Sequence, residues 1–356
     1  MRKTYLTTHK RGVTGSSYGL VVGLVAIVAL AATTGIGDSV QTLFTDVGDT
    51  LQDVSETHAG TSATPTPSAV PSPSPIFSFT SHTFTNCAAT GMNGPVLAMC
   101  TSAYSTPWDE DTNNFSMPLQ GYQLFTIPAT GTYTIEAAGA GNNGDAYEGA
   151  RLSAQFDLTQ GDQLLIAVGQ MGANDTDGSG GSFVALGNNY LSATPLIVAG
   201  GAGGHYTTTP TDARRDATFT DDAYYSVDST THTNASGPTG TGGAGGGGAH
   251  GGGGGGFLSA GGTNGGGDTP GDGFRQGLVG GTYSSNTYQG GFGGGGAYHS
   301  GWNGGGGGGG YSGGSAGYYG NHAGWGGGSY TDAAAINRQD IGITNSGHGF
   351  VTITLN

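Results

Sequence analysis

Residue types that could carry chemistry are scattered through this chain of 356 residues. None of the nine histidines lies in the His-x-x-x-His or Glu-x-x-His spacing of helical metal sites. The acidic runs at 109–111 and 221–222 lack the residue order of an EF-hand. Glycine runs look like phosphate-binding loops, but no lysine follows any of them. The sequence therefore predicts a protein that is not an enzyme and that needs no metal or cofactor.

Charge and composition further restrict the partners and the type of fold that this chain can have. The chain has 9 basic and 24 acidic residues, a net charge of −15, and no lysine after Val13. Phosphate binding needs a clustered basic face, so nucleic acid is excluded as a partner. The 76 glycines are about three times the usual share, and they lack the Gly-X-Y period of collagen.

The amino-terminal region contains an uncharged stretch of 26 residues between Arg11 and Asp38. The stretch is centred on the apolar residues 18–32, and its full length is enough to predict a membrane helix. A plain membrane anchor and a cleaved signal peptide are the alternatives. Beyond it, apolar residues keep a helical spacing that favours one long helix over 13–56: Val40, Leu43, Phe44, Val47, Leu51 and Val54.

Residues Arg11–Leu20 resemble the processing site of Flp/Tad-type (type IVb) pilins. The resemblance implies cleavage after Gly12 by a prepilin peptidase, so that residues 1–12 are a cationic leader. Val13 then begins the mature chain and Tyr18 is its sixth residue. Ser17 stands where the family has a glutamate, which departs from the pattern.

The same resemblance implies a helical filament, a homo-oligomer built through the amino-terminal helix by pilus assembly machinery. Before assembly, the subunit would be inserted in the inner membrane. The residues expected to pack in the filament are Tyr18, Leu20, Leu24, Ile27, Leu30, Leu43, Phe44, Val47 and Leu51.

Residues 57–76 are rich in Ser, Thr and Pro, a composition that favours an extended spacer. Strand-like runs follow: Tyr122–Ile127, Tyr133–Ala137, Ala150–Leu158, Gln163–Gly169, Pro195–Ala199 and Gly349–Leu355. They predict an antiparallel β-sandwich. Because the last run follows the glycine block at about 242–328, this block is predicted to be an insertion within the domain 77–356.

The chain has two cysteines, Cys87 and Cys100, in a region predicted to be exported. This context favours one disulfide, worth about 3 kcal/mol on the chain-entropy model. A zinc site would need further ligands at matching spacing, and none is present.

The glycine block could be a disordered linker, because ordering glycine costs the most backbone entropy. Regularly placed aromatic residues and few charges favour order. Packed polyproline-II-like rods of glycine are the ordered alternative, with a predicted centre at Gly305, Gly306, Gly307, Gly308 and Gly309. Four aromatic residues form either a recognition surface or caps on the rods: His299, Trp302, Tyr311 and Trp325.

Motifs in order across 77–355 resemble the glycine-rich ectodomain of the anaplastic lymphoma kinase receptor family and of bacterial surface proteins. Examples are Phe84–Cys87, Gly131–Ile135, Gly180–Val184, Ile197–Gly201 and Gly309–Gly314. The resemblance implies a β-sandwich that carries a bundle of glycine helices. It does not extend to the receptor's ligand-binding residues, its membrane-proximal modules or its kinase.

Together these observations predict an α+β chain: a long N-terminal hydrophobic helix, a Pro-rich linker, and a jelly-roll-like antiparallel β-sandwich with an inserted polyglycine-II bundle. The predicted function is a subunit of an extracellular pilus that displays a rigid outer domain for coating or adhesion. An adhesin for a glycan or surface receptor is the alternative, as is a membrane-anchored surface monomer.

Overall fold

Alternating apolar residues build a five-stranded sheet with one buried face. The computed structural model describes residues 74–142, 147–205, 216–223, 226–228, 232–234, 251–263, 269–284, 286–301, 303–317 and 323–356. In the strand Gly131–Ala138, the side chains of Tyr133, Ile135 and Ala137 are buried, while those between them are partly exposed. This period of two is that of a strand with one face on a core.

A second, six-stranded sheet is buried on both faces. Along Gln163–Ala167, Leu164 and Ile166 join the core between the two sheets, whereas Leu165 and Ala167 join a second core on the opposite face. Aromatic residues of the glycine block, among them Phe274, cover this second core. The strand therefore has a continuous apolar sequence.

All strand pairs in the two sheets are antiparallel. The strands of the two sheets are β1 Ser81–Phe84, β2 Phe115–Leu119, β3 Tyr122–Thr126, β4 Gly131–Ala138, β5 Gly149–Leu158, β6 Gln163–Ala167, β7 Ser182–Leu186, β8 Thr194–Ala199, β13 Tyr330–Thr331, β14 Ile336–Asn345 and β15 Phe350–Leu355. The five-stranded sheet has the order β1-β15-β4-β5-β14, and the six-stranded sheet has the order β13-β8-β7-β6-β3-β2. Two small hairpins pair β9 Ser226–Asp228 with β10 His232–Asn234, and β11 Thr282–Tyr283 with β12 Tyr288–Gln289. A single 3-10 turn, Phe274–Gln276, is also described.

The described residues contain one α-helix, α1 (Leu97–Tyr104). Its buried residue Cys100 forms a disulfide with Cys87, across a Cα–Cα distance of 5.0 Å. The helix ends at Tyr104, and its C-cap residue Ser105 has a left-handed backbone with φ 50°. The disulfide thus fixes the helix to the loop that follows β1.

The α+β class with a long hydrophobic helix is wrong for the structure as described, which is mainly β with one eight-residue helix. Within the described ranges, no helix combines the length and hydropathy needed to cross a bilayer. The pilin and transmembrane-helix assignments conflict with this mainly β architecture. The leader, Gly12, Val13, Tyr18 and the whole predicted assembly helix lie outside the described residues.

His82 lies in an aromatic cluster beside α1, with its ring 4.5 Å from that of Tyr104 and 5.0 Å from that of Trp108. Its Nε2 atom and Oδ2 of Asp109 are buried without a hydrogen-bond partner in the described part of the chain. Burial lowers the pKa of His82 to about 4, although the Asp109 carboxylate raises it. The neutral imidazole is therefore the form that the fold accommodates.

We expect His82 to make the fold sensitive to acid. Below pH 6.5 the unfolded chain binds a proton at this histidine, whereas the native chain does so only near pH 4. The stability contributed by neutral His82 is thus complete above pH 6.5 and is lost as the pH falls to about 4. Because the ring is only partly buried, we expect a loss of about 1 to 2 kcal/mol.

Urea unfolding of the full chain at pH 7 and pH 4.5 measures this loss. His82→Phe keeps an aromatic ring and removes the titration, so the variant should lose less stability in acid than the wild type. Equal losses in the two proteins would contradict the assignment.

Candidate functional site

The glycine-rich rod at 305–311 has a regular hydrogen-bonding pattern. Six successive N–H groups donate to three neighbouring segments in turn: Gly306 to Thr176, Gly307 to Gly252, Gly308 to Trp325, Gly309 to Ser179, Gly310 to Gly255 and Tyr311 to Gly328. Residues three apart therefore bond the same neighbour, three residues further along it. This is the three-residue turn of a polyproline-II-like rod.

Carbonyl groups of the same rod accept hydrogen bonds from three other segments. The pairs are Gly305 with Gly317, Gly308 with Gly314, Gly306 with Gly204, Gly309 with Gly201, and Gly307 with Gly296. The rod is thus bonded to six neighbouring segments, three by its N–H groups and three by its carbonyls. Backbone hydrogen bonds between segments hold this bundle together, since its glycines have almost no side chain to pack.

The close approach of these segments requires glycine. A Cβ atom at Gly306 would overlap the carbonyl oxygen of Gly296, and it would lie 2.8 Å from the nitrogen of Gly178. The segments 172–181 and 201–204 belong to the bundle although they lie outside the block at 242–328. The polyglycine insertion is therefore completed by the loops of the sandwich.

Asp177 is a fully buried carboxylate that connects parts of the bundle. Its Oδ1 accepts the Tyr298 N–H at 2.9 Å, and its Oδ2 accepts the Gln289 N–H at 3.1 Å. Oδ2 also accepts the backbone and side-chain N–H groups of Asn174 at 3.2 and 2.9 Å. Burial raises the pKa of Asp177, and these four hydrogen bonds oppose that rise. The Asp177 carboxylate thus supplies the acceptors for N–H groups from three separate positions in the chain.

Aromatic rings close one side of the bundle over the six-stranded sheet. The rings of Phe257 and Phe274 stack with centroids 4.6 Å apart, and Tyr122 meets Phe274 edge to face at 5.2 Å. The Tyr122 hydroxyl donates to the Phe274 carbonyl at 2.5 Å. The rods are thereby attached to the sheet through apolar contacts.

The predicted recognition residues do not form one exposed surface. His299 is 3% exposed, and its ring stacks on Tyr283 at 4.0 Å. Trp325 is 7% exposed, and its backbone is hydrogen-bonded within the bundle. Tyr311 is partly buried and stacks on Tyr330 at 4.3 Å. Trp302 lies outside the described residues.

A cleft of about 330 Å³ opens where three parts of the domain meet. Its walls come from the loop at 90–91, from the bundle at 171–173 and 289, and from His348 before β15. His348 is held by its Nδ1 atom, which accepts the Met171 N–H at 3.1 Å. Gln289 is held by its Nε2 group, which donates to the Asn286 carbonyl at 2.9 Å.

Sequence reasoning missed this cleft, because its residues are single polar or small side chains far apart in the chain. One of these small residues is Gly91, whose backbone has a positive φ of 79° in the structure. A Cβ atom there would lie 3.1 Å from Oε1 of Gln289. Glycine suits this position because of its positive φ.

Comparison with known proteins supports part of the resemblance. No protein-family model matches the chain. Mouse leukocyte tyrosine kinase receptor is 34% identical over 142 residues, which make up 37% of this chain and 16% of the receptor. The chain is thus similar to a receptor of the anaplastic lymphoma kinase family over a minor part of that receptor.

The similarity supports the glycine-rich domain, and it gives no support to the pilin resemblance of residues 10–54. The disulfide and this similarity fit an extracellular or cell-surface location. The match is confined to the extracellular part of the receptor, so it does not transfer a kinase activity to this chain.

Proposed function

We propose that this chain is an extracellular surface protein whose residues 77–356 form a rigid binding module. The observation that carries the proposal is the central rod 305–311, which is hydrogen-bonded to six segments. Such a bundle holds the exposed and partly exposed residues 173–176 in fixed positions. A binding surface there loses little entropy when a ligand binds, because it is ordered beforehand.

Two other observations favour a surface module. Cys87 and Cys100 form a disulfide, a bond that persists in oxidising compartments. The relative with 34% identity is named as a receptor. The filament role, the homo-oligomer and the inner-membrane stage rested on residues 13–56, and they are not part of this proposal.

The test uses cells that carry the full chain and matched cells that lack it. An antibody against 77–356 should label intact cells, and the epitope should survive proteinase K at doses that remove other surface epitopes. Cells with the chain should adhere to glycoprotein-coated surfaces several-fold better than cells without it. Labelling only after permeabilisation, or adhesion that does not depend on the chain, would overturn the proposal.

A further inference from the structure

We infer that the cleft formed by Thr90, Gly91, Met171, Ala173, Gln289 and His348 binds a neutral sugar unit. This inference rests on the proposed function and names the ligand class of the module. The volume of about 330 Å³ is at the small end of ligand sites, which suits one sugar ring at the end of a chain.

His348 supplies a hydrogen-bond donor to the cleft. Its Nδ1 atom accepts the Met171 N–H, so the proton of the neutral ring is on Nε2. Burial lowers the pKa of His348, which keeps the ring neutral at physiological pH. The ring therefore presents an N–H group and no charge.

Gln289 supplies an acceptor. Its Nε2 group is bound to the Asn286 carbonyl, so the side-chain orientation is fixed with Oε1 near Gly91. The backbone of Gln289 is fixed as well, because its N–H donates to Asp177 and its carbonyl accepts the Ala173 N–H. The acceptor is thus preorganised by the glycine bundle.

The donor and acceptor together select for uncharged hydroxyl groups. Among the described residues that line the cleft, none is Asp, Glu, Lys or Arg. A carboxylate could not satisfy Oε1 of Gln289, and an ammonium group could not satisfy the Nε2–H group of His348. A hydroxyl both donates and accepts, and the Thr90 hydroxyl can bond it in either direction. Met171 and Ala173 offer apolar contact for the C–H face of a sugar.

Saturation-transfer NMR on the purified full chain tests the inference. The probes are free glucose, galactose, mannose and N-acetylglucosamine, with glucuronic acid as a charged match for glucose. We expect signal transfer to at least one neutral sugar and none to glucuronic acid. Equal transfer to glucose and glucuronic acid would overturn the assignment.

Substitutions in the cleft test whether the sugar binds there. Ala173 is exposed, so Ala173→Trp should fill the cleft without unfolding the domain and should abolish the signal. Ala334→Trp is the matched control at another exposed alanine and should bind as the wild type does. Thr90→Val should weaken binding about fivefold. A signal unchanged in Ala173→Trp would place the sugar elsewhere.

The two proposals can fail separately. If no neutral sugar binds the wild type while chain-dependent adhesion persists, the cleft assignment is overturned and the binding module stands. If chain-dependent adhesion is absent as well, both are overturned.

Discussion

Gly306→Ala is expected to destabilise the domain by about 3 kcal/mol or more. The added methyl group would lie 2.6 Å from the carbonyl carbon of Gly296 and 2.8 Å from the nitrogen of Gly178. Both atoms belong to backbone that is hydrogen-bonded to other segments, so neither can move without breaking those bonds. Urea unfolding of the full chain should show a lower midpoint, and limited proteolysis should cut the block near 305–310.

Gly347→Ala is the control for this substitution. A Cβ atom at Gly347 would meet no other atom within 4 Å, so the variant carries the same added methyl group without the overlap. We expect its midpoint to match that of the wild type. If both variants unfold at the wild-type midpoint, the close packing of the rods is not what stabilises this domain.

Asp177→Ala is expected to cost about 4 kcal/mol, comparable to the loss of a core side chain. The truncation removes the acceptor of the buried Tyr298 N–H and of the partly buried N–H groups of Gln289 and Asn174. Each unsatisfied buried donor costs about 1 to 3 kcal/mol. Asp177→Asn keeps the shape but turns an amide N–H₂ toward these donors, so it should lose about half as much.

The comparison for Asp177 is Asp157→Ala. Asp157 is exposed in β5 and accepts one hydrogen bond, from the Thr132 hydroxyl at 2.6 Å. We expect a change below about 1 kcal/mol there. We expect the unfolding midpoint to be lowest for Asp177→Ala, intermediate for Asp177→Asn and highest for Asp157→Ala. Equal stability of the two alanine variants would show that the buried carboxylate is dispensable.

Much of the sheet structure could be predicted from the sequence. The apolar and β-branched runs at 122–127, 150–158 and 195–199 correspond closely to β3, β5 and β8. Period-two alternation also indicated β4 and β15, because each has one face on the core. These signals are local, so one sequence is enough to detect them.

Features that depend on distant contacts could not be predicted. The bundle includes 172–181 and 201–204, which are rich in glycine but lie far from the block at 242–328, and no local signal shows that they pack against it. No local pattern marks Asp177, because only the fold brings the N–H groups of Tyr298 and Gln289 to it. His299 was a candidate for a surface because residue type does not tell which side of a rod faces solvent.

The helix at 13–56 was predicted from hydropathy and helical spacing, and these two signals cannot establish a fold class by themselves. The α+β class followed from that one segment, whereas the described strands account for most of the ordered elements. A fold class inferred from one apolar segment gives that segment more weight than the larger β domain that follows it in the sequence.

The three-residue repeat of hydrogen-bond partners along the rod 305–311 restricts how the length of these segments can change in evolution. Each N–H group of residues 306–311 is assigned to one of three partners by its position modulo three. Inserting or deleting three residues therefore preserves every assignment, while a change of one or two redirects all of them. Related chains should differ in the lengths of these segments by whole triplets.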